Sequence, residues 1–271
     1  MKFVCINGNM VAEGEKLFTA ANRSFRYGDG VFETIKVYKG RILFEDYHFE
    51  RLFLSLKMLQ VENGLQTKKL SAAIIELCQK NECTELARVR LAVYRNENNH
   101  SEYAIEALPL SSEIKEWNEN GLTIGIYPYL RKTPDAFSNL KTANFLPYVM
   151  AERYSKEMDW DDAIVLNTNN FLADTSKANI FLVKKNNILT PALHQGCING
   201  VMRKFLIDEM KQIDYKVIQA EISEQDLLDA DEVFVTNSIL DLKWVKAFKN
   251  KNYSAEKTFS IHQQLISPMY T

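Results

Sequence analysis

The chain has 271 residues, 46% hydrophobic and 25% charged, enough to bury one large core or two moderate ones. Thirty-three Lys and Arg oppose 35 Asp and Glu, a formal charge of −2, so there is no basic footprint for nucleic acid or an anionic membrane and a small molecule is the expected partner. No apolar run suits a signal peptide or a membrane span, and Cys5, Cys78, Cys83 and Cys197 lack metal-site or CxxC spacing, so the expectation is a cytoplasmic protein with no metal and no disulfide framework.

In chain order, FVCING at 3–8 and VFETIKVYKGRILF at 31–44 alternate as short strands, with Lys39-Gly40 as a hairpin turn. From Asp46, which can cap a first turn, Phe49, Leu52, Phe53, Leu56 and Leu59 recur at helical spacing. A second helix is expected over 67–81, and the strand pattern returns at 87–95 and 103–110. The polar stretch at 110–121 interrupts the strands and marks a domain boundary, giving an N-terminal α+β domain over 1–115 and a second domain over 121–271. That second half opens on a strand, GLTIGIYPYL, and predicts a helix over 144–157. Three strand-like runs follow within 162–190, with turns at Asn169-Asn170 and Asn186-Asn187. A helix over 201–213 and strands at 231–238 and 243–248 complete an α+β chain in two halves.

Several residues invite chemistry. His48, Arg51 and Ser55 share one helix stripe beside Leu52 and Phe53, where an arginine needs an anionic partner; a phosphate would serve, and so would a solvated face. TSKANIF at 175–181 and NGVMR at 199–203 are small or polar turns, the second just ahead of a helix, so their backbone N–H groups and the Thr175 and Ser176 hydroxyls suit an anion, although a glycine there is more often a simple cap. Asp174 is one carboxylate in a neutral stretch between strands, either a turn cap or the partner of a protonated ring nitrogen. Arg95 ends a strand on the face of Val89, Leu91 and Val93, placed to clamp a carboxylate or to project into water. Lys141 stands in NLKTANFLPYVMA, at the edge of the expected helix; most lysines so placed are solvated.

Taken together, RSFRYGDGVFETIKVYKG at 23–40, HFERL at 48–52, LKTAN at 140–144, LADTSKANIF at 172–181, TPAL followed by INGVMR, and DEVFVTNS at 231–238 resemble the class IV, fold-type IV aminotransferases that use pyridoxal 5′-phosphate. That group includes D-amino-acid transaminase, branched-chain aminotransferase and 4-amino-4-deoxychorismate lyase. The resemblance implies a smaller N-terminal α/β domain, a larger β-rich C-terminal cofactor-binding domain with helices, and a homodimer. It makes Lys141 the lysine that forms the Schiff base and then moves protons at the substrate Cα, since only a primary amine does both. It makes Arg51 a phosphate ligand, with Thr175, Ser176, Val201, Met202 and Ser238 completing the phosphate cup. Asp174 takes the place of the family's glutamate against the pyridine nitrogen, one methylene shorter. Met202 stands where relatives often carry threonine, leaving only its backbone N–H.

The segment YRNENNHSE lacks the RG pair of many relatives, which leaves Arg95 and His100 as candidates for the substrate carboxylate, with Phe32 and Tyr27 as pocket walls. The expected activity is amino transfer between an amino acid and a 2-oxo acid. The lyase that eliminates pyruvate to leave 4-aminobenzoate is the alternative, and a non-enzymatic scaffold that binds the cofactor is a third reading.

Overall fold

The computed structural model describes residues 2–15, 17–213 and 215–270. The chain divides into two compact units: residues 1–114 with 140–145, and residues 115–139 with 146–271. The sequence pattern predicts an uninterrupted second domain from 121, whereas the short segment that carries Lys141 groups with the first unit.

The first unit contains strands β1 (Phe3–Ile6), β2 (Asn9–Ala12), β3 (Gly30–Tyr38), β4 (Arg41–Ile42), β5 (Leu86–Arg95) and β6 (Ser101–Pro109), and helices α1 (Arg23–Tyr27), α2 (Glu45–Met58) and α3 (Thr67–Lys80). Among the described residues these strands form one antiparallel sheet in the order β2-β1-β6-β5-β3-β4. The β3–β4 connection is Lys39-Gly40, both at positive φ, the backbone a two-residue hairpin loop requires. Val31, Ile35 and Val37 of β3 and Val89, Leu91 and Val93 of β5 share one core with Phe49, Leu52 and Leu56 of α2 and Leu70, Ile74 and Leu77 of α3. The period-2 and period-3.6 patterns meet there, and burying each such side chain contributes about 1.5–3 kcal/mol. Asp46 lies inside the first turn of α2 and does not cap it; the capping position is Phe44, in the left-handed region and without a side-chain cap.

The second unit contains β7 (Leu122–Lys132), α4 (Leu146–Glu157), β8 (Asp162–Asn167), β9 (Leu172–Thr175), β10 (Asn179–Lys184), β11 (Asn187–Pro191), α5 (Val201–Gln212), β12 (Lys216–Ala220), α6 (Glu224–Leu228), β13 (Glu232–Asn237), β14 (Asp241–Phe248), β15 (Lys251–Asn252) and α7 (Glu256–Ile261). Its described strands run β12-β11-β10-β13-β14-β7-β8-β9, with β15 on β14. The β11/β12, β14/β7 and β7/β8 pairs are parallel and the remainder antiparallel. Every residue of β8 is buried, as for a strand covered on both faces. The β10–β11 loop is Lys185-Asn186 rather than Asn186-Asn187, because Lys184 already pairs with Asn187. Helix α7 has no counterpart in the sequence reading.

Gly125 on β7 shows how tightly this unit is built: a Cβ placed there would lie 2.0 Å from the Trp160 ring. Gly125→Ala should therefore lower stability by about 1–3 kcal/mol through overpacking, read as a fall in Tm. No helix among the described residues is long and apolar enough to cross a membrane.

Candidate active site

Lys141 is five residues ahead of α4, on an extended piece and not at a helix edge. Two backbone hydrogen bonds fasten that piece to β3: Phe32 N–H donates to the Lys141 carbonyl at 2.9 Å, and Ala143 N–H to the Gly30 carbonyl at 2.8 Å. Strand pairing thus sets the position of the lysine without using its side chain. The Lys141 Nζ lies 4.6 Å from the Phe32 ring centre and 4.9 Å from that of Phe145, two rings that meet edge to face at 5.2 Å. The Arg90 guanidinium covers Phe32 at 4.1 Å. Aromatic faces attract a cation, so the amine has a defined seat.

Close by on the same strand, Glu33 is 2% exposed and faces the way Val31, Ile35 and Val37 face. Its carboxylate accepts from Arg51 at Nε (2.8 Å) and Nη2 (2.5 Å), a two-point clamp, and lies 2.6 Å from His48 Nδ1. Burial alone would raise the Glu33 pKa, but the Arg51 charge and the bonds from His48 and Arg51 outweigh it and hold it at about 2. Burial lowers the His48 pKa despite the Glu33 carboxylate, so the ring is neutral near pH 7. The stripe of His48, Arg51 and Ser55 is thus no solvated face; His48 and Ser55 are buried, and the anionic partner that Arg51 requires is present as Glu33.

In the second unit, Asp174 sits within β9 and is 2% exposed, so it caps no turn. Its Oδ2 accepts from the Tyr148 hydroxyl (2.7 Å), the Ile198 N–H (3.0 Å) and Lys132 Nζ (3.3 Å), and its Oδ1 from Asn179 Nδ2 (2.8 Å). Burial, then the Asp174 charge, drives the Tyr148 hydroxyl pKa well up, which keeps it a neutral donor. Asn179 also donates to the Ile198 carbonyl at 2.9 Å, and a Cβ on Gly200 would fall 1.8 Å from Asn179 Oδ1, so only glycine allows this approach. Gly200 then opens α5 with no side-chain cap, although Val201 and Met202 behind it are 3% and 1% exposed. A buried, uncapped helix start presents N–H donors to an anion. Strand register sets Thr236 opposite Asn179, and its hydroxyl is buried without a hydrogen-bond partner among the described residues. Ser238 lies just beyond the end of β13 and is 9% exposed.

Three expectations change. The Thr175 and Ser176 hydroxyls, both buried, donate to Asp162 at 2.7 and 2.5 Å, and Ser176 N–H adds a 3.0 Å bond, so these groups are committed to a buried carboxylate. Burial raises the Asp162 pKa, partly offset by those same bonds. Arg95 is spent on Asp29 (3.0 Å), the Gln60 and Leu59 carbonyls (3.2 and 2.6 Å) and Asn99, which makes it a brace of its hairpin and no open carboxylate trap. His100 lies 3.1 Å from Glu62 in an exposed pair, and Tyr27 is 64% exposed under the Arg23 guanidinium; neither joins the Lys141 cluster, whereas Phe32 does. Sequence reasoning passed over Glu33, Arg90, Lys132, Tyr148 and Asn179. Only Glu33 carried a signal, a carboxylate on the buried face of a strand.

In the first unit the seated amine of Lys141 and the guanidinium of Arg51, and in the second the buried carboxylate of Asp174 and the uncapped start of α5, are each group types that pyridoxal 5′-phosphate uses. Arg51→Ala should raise the cofactor dissociation constant at least ~10-fold, from the loss of a charge-assisted partner of about 1.5–3 kcal/mol. It should also lower Tm by leaving Glu33 buried and unpaired. Adding Glu33→Gln should restore Tm and not retention, which fluorescence titration and thermal melts separate.

The family profile described as amino-transferase class IV matches residues 30–248. Aminodeoxychorismate lyase of Bacillus subtilis (strain 168) is 27% identical over 270 residues, covering 93% of this chain and 89% of that one. Aminodeoxychorismate lyase of Vibrio harveyi is 29% identical over 228 residues, covering 81% and 83%. The crystal structure of the branched-chain amino acid aminotransferase from Escherichia coli superposes with a TM-score of 0.88 at 20% identity, covering 100% of this chain and 96% of that one, which establishes the shared fold-type IV architecture. The chain therefore belongs to the class IV aminotransferases, enzymes that use pyridoxal 5′-phosphate.

Proposed function

We propose that the protein is an aminotransferase that moves an amino group between an amino acid and a 2-oxo acid, with Lys141 as its catalytic residue. The observation that carries this reading is the seat of Lys141: a primary amine fastened by backbone pairing to β3 and bounded by Phe32 and Phe145. When bound, the cofactor supplies the electron sink that makes the substrate Cα–H acidic. Lys141 would hold the cofactor through its primary amine and, when free, would serve as the base that takes and returns a proton at the substrate Cα. In the first unit Arg51, kept in orientation by Glu33, would serve as a phosphate ligand, and in the second the N–H groups at Val201 and Met202 are donors of the kind that binds phosphate. Asp174 would keep a ring nitrogen protonated. Phe32 and Phe145 flank the amine.

The buried free thiols of Cys5, Cys78, Cys83 and Cys197 agree with a reducing, cytoplasmic setting. Assembly as a homodimer is part of this reading, supported by the exposed apolar positions Leu146, Val149 and Met150 on one side of α4. The second reading, pyruvate elimination from 4-amino-4-deoxychorismate, is favoured by the two relatives of that name. The test runs both reactions on one preparation: 2-oxo acid production from a panel of D- and L-amino donors, and release of pyruvate with 4-aminobenzoate. Amino transfer from any donor at a rate far above that of the lyase supports the proposal, and the opposite ranking replaces it with the lyase.

A further inference from the structure

Lys132 is the last residue of β7, aligned with Asn167 of β8, and its side chain is 13% exposed. A lysine so far from water needs a partner, and it has two: Asp174 Oδ2 at 3.3 Å and the Tyr148 hydroxyl. We propose that Lys132 is a positioning residue that shares the Asp174 carboxylate and so weakens its hold on the cofactor ring-nitrogen proton. The inference rests on the reading of Asp174 as the partner of that nitrogen.

The argument is one of acceptor capacity and net charge. An ionised carboxylate has about four lone-pair sites, two on each oxygen. Oδ2 takes three donors, Tyr148, Ile198 N–H and Lys132, while Oδ1 takes only Asn179. Because three donors crowd Oδ2 and one reaches Oδ1, the less used oxygen is Oδ1, which would take a ring N–H. Tyr148, Asn179 and Ile198 contribute neutral donors; Lys132 alone among these four adds a full charge and turns the group from −1 to neutral. A protonated ring nitrogen facing a neutral pair is held less strongly than one facing a bare carboxylate.

Two other groups act on Asp174 at longer range. The Cys197 thiol, pushed by burial to about 12, stays uncharged. Arg203 adds positive charge but spends its Nη2 on the Pro191 carbonyl (2.9 Å) and Gln219 Oε1 (2.8 Å). Lys132 is the cation in direct contact.

The probe is pyridoxal 5′-phosphate labelled with nitrogen-15 in the ring, bound to the intact protein and titrated by NMR, with Tm recorded in parallel. K132M and K132Q should each raise the pH at which the ring nitrogen loses its proton by at least about one unit, a tenfold gain in proton affinity. K132R should stay near the parent value. Unchanged titration in both neutral variants, beside an altered one in D174N, overturns the role of Lys132 alone, including the case where only Tm falls. An unchanged titration in D174N removes Asp174 from the ring nitrogen and takes this inference with it.

Discussion

Lys141→Ala should abolish turnover, a loss of at least ~10³-fold, while the protein stays folded. Two features of the structure set this expectation. The backbone, not the side chain, fastens residues 141–143 to β3, so truncation leaves the Phe32 N–H and Ala143 N–H hydrogen bonds in place. What is lost from the fold includes an amine resting on Phe32 and Phe145, a contact worth about 0.5–1 kcal/mol. Lys141→Arg is the sharper control, because it keeps the charge over the rings and cannot form the Schiff base. Borohydride reduction of the loaded protein, followed by peptide mapping, should locate the cofactor on Lys141. Label on a different lysine, or an arginine variant with parental turnover, would remove Lys141 from the chemistry.

Asp174→Asn should cost about 10²–10⁴ in single-turnover rate with the cofactor still bound, since a neutral amide no longer favours a protonated ring nitrogen. The surroundings add a second cost. Oδ1 and Oδ2 both accept, from Asn179 on one side and from Tyr148, Ile198 and Lys132 on the other, so either orientation of an amide turns an NH₂ group towards a donor. Tm should therefore fall as well. Asp174→Glu keeps the charge and pushes an extra methylene into a buried position, with an overpacking cost of about 1–3 kcal/mol, and it should retain more rate than the asparagine variant. The discriminating measurement is rate per folded, cofactor-loaded enzyme. Full activity in the asparagine variant would leave Asp174 as a structural hub that gathers Lys132, Tyr148, Asn179 and Ile198.

Acid sensitivity reports on Glu33, the buried carboxylate that Arg51 clamps. Glu33 is held at about 2 against an ordinary 4.5, so its contribution to stability is complete above about 4.5 and is lost as pH falls through about 2.

Local patterning in the sequence was sufficient for the hairpin at Lys39-Gly40, the helices that begin near residues 45, 67 and 201, and the buried strands around them, because each is written in a repeat of two or 3.6 residues or in a turn that needs positive φ. Motif order likewise singled out Lys141, Arg51 and Asp174. It did not contain their partners. Arg51 is paired with Glu33, 18 positions earlier; the hydroxyls of Thr175 and Ser176 turn to Asp162, 13 and 14 positions earlier; and Asp174 draws donors from β7, α4, β10 and the turn before α5. A side-chain hydrogen bond between elements leaves no period in the chain, so which donor satisfies which buried acceptor is settled only when the sheets and helices pack and water is excluded from both. The same holds for Lys132, whose charge is unremarkable at the end of a strand and becomes chemically significant only because β7 delivers it to Asp174.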